Sequence, residues 1–245
     1  MPRQARRLSE SGYLHIIVRG IGRQAIFEER EDYLRYLSTL ERFCRETGVK
    51  VLAWCLMENH VHLLVQDERG QTPLLMKKLG VSYSHYFNKK YKRCGHLFQD
   101  RYLSEAVEDE AYLLMVFRYI LNNPKKAGIC EAREYEWSSY GQYELPAPFM
   151  DLSLLRELIG DEGSYEKYIS QTNDDACLEY DGPKHDDEWA KKMIEACLNG
   201  ENGMALQSLD RKARNEAIRQ LKAKGLTIRQ IERLTGINRG VIQKA

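Results

Sequence analysis

The chain has 245 residues, 43% of them apolar, with 37 Lys and Arg against 36 Asp and Glu and a formal net charge of +1. That length suits one domain of ordinary size plus an appendage, with a real core. No apolar run is long enough to span a bilayer, and the basic Met1–Arg7 is not followed by an apolar signal segment, so the expectation is neither a membrane protein nor a secreted one. The cysteines are scattered without a Cys-x-x-Cys pair and read as reduced thiols of a cytoplasmic protein. Charge is segregated: residues 1–130 carry +6, 131–200 carry −11 and 201–245 carry +6. Two basic regions around an acidic one suit contact with a polyanion, or are the solvated faces of helices.

Tyr13–Val18 alternates and is rich in β-formers, which predicts a first strand ending at Arg19-Gly20. Residues 28–47 carry Tyr33, Leu34, Leu37, Leu40 and Phe43 at helical spacing and stop at Gly48. Val49–Met57 reads as a second strand, Glu58-Asn59 as a break, and Val61–Val65 as a third strand forming a hairpin with the second. Pro73 opens a helix to about Tyr91, and Leu97–Val107 is a fourth extended segment. Asp109 caps a helix from about Glu110 to Leu121, which stops at Asn122-Asn123-Pro124 because the residue before a proline disfavours helix.

The order β-α-β-β-α-β predicts an α+β, ferredoxin-like fold. Its antiparallel sheet would have the first and third strands adjacent in the middle and two helices on one face. An extra helix follows, then an all-α C-terminal region. Composition divides the chain into 1–144, an acidic helical connector at 145–204 and a basic helical region at 205–245. The connector contains breaks at Thr172–Asp175 and Asp181–Pro183. In the last region, Gly225–Ile242 reads as helix, tight turn, helix: Thr227 caps, Gly236 turns, and Ile228, Ile231, Leu234 and Ile237 make a small core. Basic charge and the Asn238-Arg239 start of the second helix favour DNA binding over plain scaffolding. The sequence closes barely two turns into that helix, so either the helix is short or the native chain runs past Ala245.

His60-Val61-His62 is the stretch richest in chemistry. Alternate side chains of a strand share a face, so the two imidazoles project together, with Cα atoms about 7 Å apart. Such a pair makes two ligands of a divalent metal, or packs as part of a half-buried strand. Tyr119 lies late in its helix, and Asn123 is one turn further on the same face if the helix persists.

These segments together resemble a known family. His60-Val61-His62 resembles the HUH signature, and Tyr119-Ile-Leu-Asn-Asn-Pro124 resembles the nucleophile segment of single-tyrosine HUH transposases, the IS200-like family, in particular the REP-associated tyrosine transposase branch. His15 through Arg19-Gly20 and Phe27, Met57–Leu64, Gly95–Tyr102 and Trp137-Ser-Ser-Tyr140 match that branch in the same order. The resemblance covers roughly residues 8–143. Glu58 departs from it where proline is usual, and Asn122 where histidine is common.

The resemblance implies a metal-dependent single-strand DNA endonuclease and strand transferase. Tyr119 would be the nucleophile, and His60, His62 and Asn123 would hold Mg²⁺ or Mn²⁺. The product would be a 5′-phosphotyrosine link, and the partner a single-stranded DNA hairpin or palindrome, gripped by a homodimer. His15 and Asn59 would be adjacent to the site. Lys77, Lys78, Lys89, Lys90, Lys92 and Arg93, interleaved with Tyr83, Tyr86 and Tyr91, bind phosphates and bases or form a solvated helix face. Arg19, Gln99, Arg101, Tyr102, Lys125 and Lys126 are further candidate DNA contacts, and Asn238 and Arg239 would meet duplex DNA. His85, His96 and His185 have no ligand partner at useful spacing. The rival readings are a domesticated, non-catalytic DNA-binding regulator and a rolling-circle replication initiator or relaxase.

Overall fold

The computed structural model describes residues 9–171, 177–178, 187–198, 200 and 202–244. The basic start at Met1–Arg7, the breaks at Thr172–Asp175 and Asp181–Pro183, and His185 lie outside the described residues. The chain forms two compact units, Met1–Tyr180 and Asp181–Ala245, whereas composition placed boundaries at 144/145 and 204/205. Among the described residues no helix is long and apolar enough to cross a membrane.

The first unit is built on an antiparallel sheet of four strands: β1 (Tyr13–Arg19), β2 (Lys50–Met57), β3 (His60–Gln66) and β4 (Leu103–Ala106), in the order β2-β3-β1-β4. β1 and β3 are thus central and adjacent, as the element order predicts. The register pairs Ile17 with His62 and Arg19 with His60. Directly opposed residues share a face, so His15, Ile17 and Arg19 of β1 stand beside His62 and His60 of β3. Ile16 and Leu63 point the other way, and that face is buried as fully.

Helices α1 (Arg30–Thr47) and α2 (Thr72–Lys90) pack against each other. Asp32 joins their ends. Its carboxylate is fully buried and accepts from the Glu28 and Glu29 backbone N–H groups, from the Tyr86 and Tyr91 hydroxyls and from Lys90 Nζ, all at 2.7–3.0 Å. Burial pushes this carboxyl up, but those hydrogen bonds outweigh it and leave the pKa below the usual value.

β4 is shorter than the extended segment expected at Leu97–Val107. Residues 99–102 leave the sheet after an isolated bridge between Gly20 and Phe98, so Gln99, Arg101 and Tyr102 sit in a loop before the edge strand. Gly20 also lets the chain turn tightly after β1, since a Cβ there would lie 2.2 Å from the Gln24 carbonyl oxygen. At the other edge, Trp137–Ser139 runs along β2: Leu56 N–H donates to the Trp137 carbonyl and Ser139 N–H to the Trp54 carbonyl. This blunts an otherwise open strand edge.

Helix α3 (Glu110–Leu121) begins at Asp109, whose carboxylate accepts from Tyr112 N–H at 2.7 Å, and packs across β2 and β3. It stops at Asn122 as expected, but helix resumes at once as the single turn α4 (Asn123–Lys126). Proline lacks only an N–H that a first turn does not need, so Pro124 starts a helix as readily as it ends one. Asn122 Nδ2 bonds the Arg118 carbonyl and the Ile169 carbonyl of α6 (Glu162–Ser170). Together with α5 (Ser153–Ile159), α6 contributes Leu155, Tyr165 and Ile169 to the first unit's core.

The second unit has its own core of Ile194, Leu206, Ile218, Leu221, Ile231, Ile237 and Ile242. Its helices are α7 (Asp187–Cys197), α8 (Arg211–Ala223), α9 (Ile228–Thr235) and α10 (Arg239–Lys244). Thr227 and Gln230 form a reciprocal capping box at the start of α9, and Gly236 ends it at φ 68°. That positive φ lies in the left-handed region, where a side chain would be strained, so the turn favours glycine.

Candidate active site

The face of the sheet under α3 carries a cleft of about 160 Å³ lined by Ile17, Arg19, His60, His62, Tyr119, Asn123, Lys126 and Ala127. Strand alternation delivers the β1 and β3 residues. Helical spacing delivers the rest, because α4 resumes in line and keeps Tyr119, Asn123 and Lys126 on one side. Arg19 and Lys126 supply positive charge, and among the described residues no carboxylate lines the cleft.

The rings form a tight cluster. His15 stacks on His62 with centroids 5.3 Å apart and planes 24° from parallel. Tyr119 presents an edge to both, at 5.9 Å and 5.7 Å, and His60 meets His62 edge-on at 5.1 Å. Lys126 Nζ lies 4.8 Å from the centre of the Tyr119 ring, within cation–π range. Burial lowers the His15 pKa to about 3. Burial also holds His62 well below its usual value, helped by the charges of His15, His60, Arg19 and Lys126. Both imidazoles are therefore neutral at neutral pH, the form that ligates metals.

Hydrogen bonds assign the atoms. His60 Nδ1 bonds Asn59 Oδ1 at 2.6 Å, while Asn59 Nδ2 donates to the Arg23 carbonyl at 3.2 Å. His62 Nδ1 bonds His15 Nε2 at 3.1 Å. Coordination then falls to Nε2 of each histidine. Asn123 Nδ2 donates to the Tyr119 carbonyl at 3.2 Å, so its side-chain oxygen is the atom left for coordination. Two imidazoles and an amide oxygen suit Mn²⁺, and Mg²⁺ with added water or phosphate oxygens. Among the described residues no group of three His, Cys, Asp or Glu side chains converges as a metal site, so any ion here would depend on the Asn123 amide.

The IS200-like transposase family matches residues 9–123, a span that contains every one of these residues except Lys126 and Ala127. This part of the chain is thus similar to that family. Among solved structures, the fold resembles one described as the REP-associated tyrosine transposase bound to a REP hairpin. The TM-score is 0.55 at 14% identity, over 73% of this chain and 96% of that one, a likeness of fold. A putative transposase from Deinococcus radiodurans aligns at 19% identity over 49% of this chain and 96% of that one, with a TM-score of 0.35. No curated protein matches.

The other expected DNA contacts are dispersed. Lys77 and Lys89 are exposed on α2, away from the residues that line the cleft. Lys78 pairs with Glu46 at 2.6 Å, and Lys90 with Glu29, Glu31 and Asp32 at 2.8–3.2 Å. Lys125 pairs with Glu131 at 2.8 Å, while its neighbour Lys126 borders the cleft. Asn238 and Arg239 are exposed in the second unit, where the Asn238 side chain caps α10 by accepting from Gly240 N–H. His85 and His96 are exposed outside the cleft. Ile17 and Ala127 line the cleft and escaped sequence reasoning, although the alternation of His15 and Arg19 on β1 puts Ile17 on their face.

Proposed function

We propose that this transposase domain is a metal-dependent single-strand DNA strand transferase with Tyr119 as nucleophile and His60, His62 and Asn123 as metal ligands. The observation that carries the reading is the convergence of a tyrosine, two oriented imidazoles, an amide and two cations, from three separated segments, in one cleft. A bound Mg²⁺ or Mn²⁺ would polarise the scissile phosphate. Arg19 and Lys126 offset the phosphate charge and hold the strand against the Tyr119 edge. The Tyr119 hydroxyl oxygen attacks phosphorus and loses its proton. The bond to the 3′ oxygen breaks, and that oxygen leaves as a 3′-hydroxyl after taking a proton. The 5′-phosphotyrosine link conserves the phosphoester, so reversal with another 3′-hydroxyl rejoins DNA without ATP.

The substrate class in this reading is a hairpin or palindromic single strand, as in the REP-hairpin complex of the similar fold, worked on by a homodimer in the cytoplasm. The α9–Gly236–α10 pair acts as a helix-turn-helix for duplex DNA, with Asn238 and Arg239 leading its second helix. The domain plan is then a transposase domain at 1–144, an acidic connector at 145–204 and a DNA-reading module at 205–245.

The test is covalent trapping. Wild-type protein, an end-labelled single-stranded hairpin and Mn²⁺ should give a denaturation-resistant adduct, and Tyr119→Phe should abolish it while still binding the hairpin. A wild type that binds hairpins with metal present and never forms the adduct would be a non-catalytic DNA-binding regulator instead.

A further inference from the structure

His15 is fully buried, and its Nδ1 has no hydrogen-bond partner among the described residues. Its other nitrogen, Nε2, faces His62 Nδ1 at 3.1 Å. Between two neutral imidazoles one nitrogen must donate and the other accept. If His15 donated, the His62 proton would sit on Nε2, turned to a cleft whose charged groups among the described residues, Arg19 and Lys126, are donors only. If His62 donates, its Nε2 presents a lone pair to those cations, and the orphaned proton lies on His15 Nδ1, outside the cleft. The charge distribution favours the second arrangement. The two ring planes lie within 24° of each other, as an in-plane bond between them needs.

We propose that His15 is the positioning residue of this site: it accepts the His62 Nδ1 proton and so presents His62 Nε2 as a lone-pair donor to a divalent cation. The inference rests on the metal-site reading above. Asn59 does the same for His60 from an exposed loop, held by the Arg23 carbonyl. The two ligands are thus oriented by chemically different partners, and only His15 is locked inside the core.

Ring ¹⁵N–¹H correlation spectra of the full chain at pH 7.5 read the tautomers without metal. His62 is expected as the Nδ1–H form in wild type and shifted toward Nε2–H in His15→Phe. Mn²⁺ titration followed by electron paramagnetic resonance reads the consequence. His15→Phe should weaken Mn²⁺ binding about 10- to 100-fold. His15→Gln, whose amide oxygen can accept the same bond, should stay within about threefold of wild type. A wild-type His62 protonated on Nε2, a His15→Phe protein that binds Mn²⁺ as well as wild type, or a His15→Gln protein as weak as His15→Phe would each overturn the proposal. Should His15→Phe not fold, the wild-type tautomer and the His15→Gln affinity decide it. Should wild type bind no Mn²⁺ at all, the metal reading fails by itself, and the spectra still judge the role of His15.

Discussion

Burial decides what the central histidines can do. A His15 imidazole titrating near 3 in the native state and near 6.5 when unfolded leaves the unfolded chain binding more protons below about pH 6.5. Its contribution to stability is therefore complete above that pH and declines as pH falls toward 3, by about 1.4 kcal/mol per pH unit. His62, lowered in the same direction, adds to the slope. Urea midpoints at pH 7.5, 6.5, 5.5 and 5.0 should fall through the last three, before most carboxylates titrate. His15→Gln should show a shallower fall. A flat wild-type profile would mean that these rings are charged in the folded protein. The period-two pattern of β3 made the His60–His62 pair legible in the sequence. The contact of His15 with His62 was not, because it depends on a register that pairs Ile17 with His62 and lets His15 reach along the strand. Nor was the pairing of Lys78 and Lys90: in sequence they belong to a basic helix, and their acids come from the separate helix α1.

At the level of elements, the α1–α2 pair depends on one carboxylate. Both Asp32 oxygens accept only from donors, so an amide would turn its own N–H groups toward an N–H or O–H. Asp32→Asn should cost about 3–5 kcal/mol, the range for breaking a buried, fully bonded charge. The urea midpoint checks this. Mn²⁺ affinity of the protein that remains folded should not change, because Asp32 is not among the residues lining the cleft. Helix starts were legible where a side chain caps them, at Asp109 and Thr227, and the end of α9 where Gly236 takes the left-handed conformation. The turn at Asn123–Lys126 was not, since proline marks a break without saying whether helix follows. That turn decides the site: by continuing in line it brings Asn123 and Lys126 to the tyrosine. β4 was overestimated because residues 97–102 carry extended-type residues that the sheet edge does not use.

At the level of the whole chain, every residue of the cleft belongs to the first unit, and the helix–glycine–helix segment belongs to the second. A chain ending at residue 180 should therefore keep adduct formation with a single-stranded hairpin and lose affinity for duplex DNA, measured by gel shift at fixed salt. Equal duplex binding by the shortened chain would remove the second unit from DNA recognition. Composition separates acidic from basic stretches, whereas packing divides the chain between Tyr180 and Asp181. The acidic stretch begins at 131, yet Leu155, Tyr165 and Ile169 within it anchor to the first core.

The order of the cleft residues along the chain has a consequence during synthesis. His15, His60 and His62 leave the ribosome first, and Tyr119 with its helical turn follows last. At about 5–20 residues per second, the stretch from His62 to Tyr119 takes roughly 3–11 s to make. During that interval a nascent chain can pair β1 with β3 and assemble the histidines while it still lacks the group that would join it to DNA. In the proposed reaction the nucleophile would thus arrive only after the scaffold that orients the strand.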